Sequence, residues 1–221
     1  KERLERMGEM PDNVFVVGAP GLDEMHSHTI ADKRTVFERF GFSMDKPLAL
    51  FVYHPVIQDT KKSRDDVEGA FRLLLELEVQ VLALMPNIDA GYSLIRESLK
   101  AFENEETVKL VSHLPRNSYL SVMCHADVMV GNSSSGIIEA ATYGTPVINL
   151  GRRQNLRERN KNVIDLEFID ENTKDLVTHI IANGKFDIGN VYGSGKSAEK
   201  ILEYLKTLAL LPDSLNKSNT Y

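Results

Sequence analysis

The chain has 221 residues, 42% of them hydrophobic and 26% charged, and carries a formal net charge of −6. That length holds one large domain or two small ones, and the acidic balance argues against a nucleic-acid surface. One cysteine, Cys124, excludes an intrachain disulfide, and no apolar run approaches the roughly 20 residues that span a bilayer.

The opening KERLERMGEM is charged and helix-like, without the pattern of a signal peptide. Cys124 sits in an apolar run, SVMCHADVMV, and fits a small buried hydrophobe in a reducing compartment, so a cytoplasmic location away from membranes is expected. Because Lys1 is not Met and starts a helix-like run, the chain reads as the second half of a longer protein. Residues 1–20 are expected to finish a preceding domain or join it, residues 21–209 to form the main domain, and the polar tail 210–221 to fray.

Short β-branched runs then alternate with helix-period segments. The strands expected are 14–18 (VFVVG), 48–53 (LALFVY), 79–86 (VQVLALMP), 107–112 (TVKLVS), 127–131 (DVMVG), 146–151 (PVINLG) and the weaker 162–168 (NVIDLEF). Helices are expected over 29–41, 63–77, 91–103, 116–125, 136–143, 173–182 and 195–209. This alternation predicts a Rossmann-like α/β fold, a parallel sheet flanked by helices, and the continuous apolar strands fit burial on both faces.

In an open parallel sheet, ligands bind beyond the carboxyl ends of the strands. Polar and special residues gather there: His54-Pro55, Pro86-Asn87-Ile88-Asp89, His113-Leu114-Pro115, Asn132-Ser133-Ser134-Ser135-Gly136 and Arg152-Arg153. The serine stretch offers hydroxyl donors at a helix start, and Gly136 leaves room for close backbone approach, which suits a phosphate or diphosphate. A plain N-cap explains the same serines, and both readings stand. Glu139, one turn on, would repel a phosphate but could accept hydrogen bonds from sugar hydroxyls; a dipole-favoured acid is the bland alternative. Of the arginines in GRRQNLRER, Arg153 is nearest the strand end and best placed to point inward. His54, followed by a rigid proline, could give a proton to a leaving phosphate near neutral pH.

YGSGKSAEK resembles the end of a P-loop, but the first glycine of that motif would fall on Asn190, so a glycine-rich turn before the last helix is expected. The histidines are scattered and form no metal-ligand spacing. No cofactor is expected.

Together VVGAPGLDEM, FVYHPV, LMPNIDAG, SHLPRNSYL, HADVMVGNSSSGIIEAATYGTPVINLGRRQ and NVIDL resemble, in order, the C-terminal half of UDP-N-acetylglucosamine 2-epimerases. HPV and PNIDAG are similar to the hydrolysing branch used in sialic acid synthesis. The resemblance implies the C-terminal UDP-binding domain of a glycosyltransferase-B-type fold. It implies that Ser133, Ser134, Ser135 and Gly136, with Asn132, hold the diphosphate, and that Glu139 binds ribose. His113, Leu114, Pro115 and Tyr119 would lie against uracil, Arg153 would sit in the same nucleotide region, and His54 would act at the sugar–phosphate bond. UDP-GlcNAc loses UDP to give a 2-acetamidoglucal, and water then adds to give N-acetylmannosamine. The carboxylates for that step belong, in the family, to an N-terminal domain absent here, so the chain alone is expected to be inactive. The resemblance also implies UDP-GlcNAc or UDP as ligands, that missing domain as a partner, and a homodimer or tetramer. Two other readings compete. A UDP-sugar glycosyltransferase donor domain is opposed by HPV and PNIDAG; a non-catalytic UDP-sugar-binding module is opposed by intact His54 and Glu139.

Overall fold

A computed structural model of the chain describes residues 1–56, 60–86, 91–187 and 189–208. Asn87, Ile88 and Asp89 of the expected PNIDAG loop lie outside the described residues, as do the tail 210–221 and the last residue of the 195–209 helix. The chain divides into two compact units, one of residues 28–191 and one of residues 1–27 with 192–221.

Strand β1 (Leu48–Val52) explains the layout of the larger unit, because all five of its residues are buried. Side chains alternate across a strand. Leu48, Leu50 and Val52 therefore enter one apolar cluster, with Val36 and Phe37 of α2 (Lys33–Phe40) and Val122 and Met123 of α5 (Arg116–His125). Ala49, Phe51 and the following Tyr53 enter a second cluster. That one is built by Val67, Phe71 and Leu74 of α3 (Thr60–Glu76), Ile95 and Leu99 of α4 (Tyr92–Lys100), and Val177 and Ile180 of α7 (Thr173–Asn183). Helices on both faces remove water from both, which is why the central strands are apolar throughout.

The other strands are β2 (Gln80–Leu84), β3 (Val108–Val111), β4 (Val128–Gly131), β5 (Val147–Leu150) and β6 (Val163–Leu166). Among the described residues they form a six-stranded sheet in the order β3-β2-β1-β4-β5-β6, with every neighbouring pair parallel. The order reverses between β1 and β4, so a crevice opens at their carboxyl ends. Val52 pairs with Gly131 there. Gly131 has φ +137°, and a Cβ on it would stand 2.0 Å from the Val52 carbonyl oxygen, so only glycine lets these strand ends close.

The second unit joins both ends of the chain. It contains α1 (Glu2–Arg6), 3-10 turns at Pro11–Asn13 and Pro20–His26, and α8 (Ser197–Thr207). Asp23 caps α8 from 174 residues away: Oδ1 accepts from Ser197 N at 2.8 Å and Oδ2 from Ala198 N at 2.6 Å. The Ser197 backbone bond, first among several, holds the Asp23 carboxyl below its ordinary range. The YGSGKS turn thus has its helix N-terminus filled by the protein's own carboxylate, where a P-loop would offer it to phosphate.

Two expected elements differ. VFVVG (14–18) is not a strand: it follows the Pro11–Asn13 turn, and Phe15 packs on Tyr204 of α8 with ring centroids 4.3 Å apart. The helix expected over 136–143 is α6 (Ser134–Ile138), followed by a 3-10 turn, Ala140–Tyr143, with Glu139 at the joint. Its start moves two residues earlier because Ser133 is the N-cap.

Candidate functional site

Asn132 is completely buried at the switch point and ties its loops together. Its Oδ1 accepts from His54 N at 2.7 Å and its Nδ2 donates to His54 O at 2.9 Å. A side-chain amide here imitates a peptide group and carries the β1–β4 ladder one step further. The Asn132 carbonyl accepts from Arg153 Nη1 at 3.1 Å and from Gln154 Nε2 at 2.9 Å. Four hydrogen bonds, each worth about 1 kcal/mol net, therefore hold the loops after β1, β4 and β5 in one arrangement.

The serine loop follows. Ser133 Oγ accepts weakly from Ser135 N at 3.4 Å and meets Ser135 Oγ at 2.9 Å. Ser135 Oγ in turn meets Tyr119 OH at 2.5 Å. Among the described residues, Ser134 makes no side-chain hydrogen bond. Helix α6 stops after five residues because side-chain amides catch its last carbonyls: Asn160 Nδ2 bonds Ile137 O at 3.1 Å and Asn190 Nδ2 bonds Ile138 O at 2.7 Å. So short a helix sums few peptide dipoles, and hydroxyls and guanidinium carry more of any pull on an anion. Gly136 serves packing: an added Cβ would stand 3.0 Å from Val147 Cγ1 of β5.

Where α6 ends, Glu139 turns toward α5 and receives Arg116 Nη1 on its Oε2 at 2.8 Å. Tyr119, one turn after Arg116, is partly buried beside them. Burial raises its phenol above the ordinary value; the Ser135 hydrogen bond lowers it, the Glu139 charge raises it and the Arg116 charge lowers it. It remains a protonated hydroxyl at neutral pH. Pro115 is the N-cap of α5, His113 is exposed, and Leu114 is buried in the core cluster.

The expected residues thus meet in two linked groups: His54, Asn132 and Arg153 in one, Tyr119, Ser133, Ser135 and Glu139 in the other. Arg116 and Gln154 were not anticipated. A signal for Arg116 exists, since a cation in the first turn of a helix opposes the dipole and calls for a partner. Gln154 had none, because its burial depends on a loop 22 residues away.

Beside the first group, at the carboxyl ends of β1 and β5, a cavity of about 560 Å³ is lined by Tyr53, Pro55, Lys62, Asp66, Arg152 and Arg153, among others. Asp66 accepts from Tyr53 OH at 3.0 Å and from Lys62 Nζ at 3.1 Å on both oxygens. Lys62 also donates to the Glu167 carbonyl, and Arg152 pairs with the Glu167 carboxylate at 2.5 Å. Among the described residues no three His, Cys, Asp or Glu side chains are grouped to hold a metal, and no helix is long and apolar enough to cross a membrane.

The family model for UDP-N-acetylglucosamine 2-epimerase matches residues 1–206. A hydrolysing UDP-N,N′-diacetylbacillosamine 2-epimerase of Legionella pneumophila is 39% identical over 221 residues, which is 100% of this chain and 59% of the relative. A UDP-N-acetylglucosamine 2-epimerase of Neisseria meningitidis is 28% identical over 98% of this chain and 56% of its own length. Among solved structures, UDP-GlcNAc 2-epimerase from Neisseria meningitidis bound to UDP-GlcNAc has a TM-score of 0.74 at 17% identity, covering 94% of this chain and 59% of that one; the likeness is one of fold. The chain spans less than two thirds of the length of these relatives. With a parallel sheet in this order, a family match along nearly its whole length and relatives that agree, the chain belongs to the UDP-N-acetylglucosamine 2-epimerase family.

Proposed function

We propose that the chain is the nucleotide-binding half of a hydrolysing UDP-N-acetyl-sugar 2-epimerase. The observation that carries this reading is the Asn132 clamp, which ties His54 to the first residue of the serine loop across the switch point. In this reading residues 21–209 form the UDP-binding domain, and residues 1–20 join it to a preceding one. The diphosphate lies on Ser133, Ser134 and Ser135, with Arg153 close by. Ribose hydroxyls donate to Glu139, and uracil lies between the His113–Pro115 loop and Tyr119.

His54 sits at the end of β1, beside the loop that would hold the leaving group. It donates a proton, or lends charge, to the departing diphosphate oxygen as the C1–O bond breaks. A base on the preceding domain removes the C2 proton, so the electron pair closes the C1–C2 double bond of the glycal. Water then adds, with hydroxyl to C1 and a proton to the other face of C2, giving the 2-epimer as the free sugar.

UDP-GlcNAc going to N-acetylmannosamine is the first substrate reading. The 39% identity to an enzyme named for UDP-N,N′-diacetylbacillosamine supports that diacetamido sugar as the second. Both are tested by supplying each nucleotide sugar to the full-length protein and measuring UDP and free sugar. Release of UDP without free sugar, or only in the presence of an acceptor, would overturn the hydrolysing reading. The 221-residue chain alone is expected to bind UDP weakly, if at all, and to release no sugar. In the full-length protein His54→Ala is expected to lower turnover by about 10²–10⁴, far more than UDP affinity.

A further inference from the structure

Glu139 is an awkward neighbour for a diphosphate, because a carboxylate beside the serine loop repels the charge that the loop would attract. Arg116 is awkward in its own way. It stands at the first position of α5, where no acidic residue offsets it and where the positive end of the helix disfavours a cation. The two meet at 2.8 Å across 23 residues of sequence. Their side chains are 34% and 16% exposed, so the pair is neither a loose surface contact nor sealed from a ligand.

We propose that Arg116 is a positioning residue for nucleoside recognition: it pins Glu139 Oε2 and cancels its charge, leaving Oε1 to accept from the ribose hydroxyls beside a diphosphate. This rests on the nucleotide-site reading above. Oε1 makes no hydrogen bond among the described residues, whereas Oε2 is taken by the guanidinium. The anchor is stiff, since a guanidinium on a helix of ten residues has fewer ways to turn than an exposed lysine. Tyr119, one turn along the same helix, holds Ser135 at 2.5 Å, so α5 orders both the ribose acceptor and part of the serine loop.

The test compares UDP with 2′,3′-dideoxyuridine diphosphate by calorimetry on the full-length protein. The variants are Arg116→Leu, Arg116→Lys, Glu139→Gln and the Arg116→Leu/Glu139→Gln double. A hydrogen bond to a charged group sets the expected scale at about tenfold or more. Arg116→Leu should lower UDP affinity by about that much and the dideoxy ligand by a few-fold at most. Arg116→Lys, the variant kept in case the leucine change disturbs folding, should recover part of the loss. The double variant should lose little beyond Glu139→Gln, because both changes remove one contact. Equal loss for the two ligands in Arg116→Leu, or additive losses in the double, would overturn the positioning role while leaving the nucleotide site intact. If Glu139→Gln binds both ligands as the wild type does, the ribose assignment fails, and the role of Arg116 fails with it.

Discussion

Asp66 and Glu139 stand on opposite faces of one sheet edge, each within 3.1 Å of a cation and each near a tyrosine. They are held to different ends. Asp66 is 5% exposed, and both its oxygens are spent on Lys62 and Tyr53. Glu139 keeps one oxygen uncommitted and sits beside hydroxyls that a ligand could reach. A saturated buried carboxylate fastens helix α3 to the sheet; a half-paired one at a loop mouth can recognise something. The cavity lined by Asp66 and Arg153 therefore owes no recognition to its carboxylate, whereas Glu139 can supply it.

Substitution should separate the two carboxylates cleanly. Asp66→Ala strands a half-buried lysine and a buried hydroxyl, and losing hydrogen bonds to a charged group costs about 1.5–3 kcal/mol. Urea unfolding should show that loss, while UDP affinity of the folded protein falls less than in Glu139→Gln, because Asp66 spends both oxygens on Lys62 and Tyr53. Lost UDP binding without lost stability would make the Asp66 cavity part of the site. Glu139→Gln should do the reverse: UDP affinity falls about tenfold, and stability moves by no more than about 1 kcal/mol, as for a partly exposed pair. Ser134→Ala should weaken UDP by a similar factor with an unchanged melting temperature, because no bond within the described residues is lost. Unaltered UDP affinity in both would return the serine loop to a simple helix cap.

A third ion sharpens the contrast by showing burial without recognition. Lys185 lays an exposed stem on the surface and tucks its ammonium against Ala126 O at 2.6 Å and Thr145 Oγ1 at 2.8 Å. Burial pushes its pKa down to about 8, against a smaller upward pull from Cys124 and Asp127 and a downward one from Lys33. Between that value and the ordinary 10.5, the unfolded chain holds a proton that the folded one has lost. Stability from this group therefore rises with pH through that window. The urea midpoint of Lys185→Met should rise less than that of the wild type between about pH 8 and pH 10.

The sheet was readable in the sequence because strands buried on both faces must be apolar throughout, and LALFV and VMVG are. VFVVG met the same criterion and failed it in space: among the described residues Val14–Gly18 has no strand beside it, and Phe15 found an aromatic ring on α8 instead. The switch-point residues were visible as polar punctuation after strands. What escaped was pairing at a distance. Arg116 with Glu139, and Gln154 with the Asn132 carbonyl, join loops that only the finished fold brings together. Ser133 shows the limit from the other side, since cap and ligand donor are written with the same residue, and here it caps.

The Asp23 cap on α8 has a consequence for synthesis. Its two halves are separated by 174 residues, so at roughly 5–20 residues per second Asp23 waits about 10–35 s for the helix it will hold. During that interval the sheet unit, whose residues all lie between, can already close. The smaller unit, which needs both residues 1–27 and helix α8, closes only after the sheet unit between them has been synthesised.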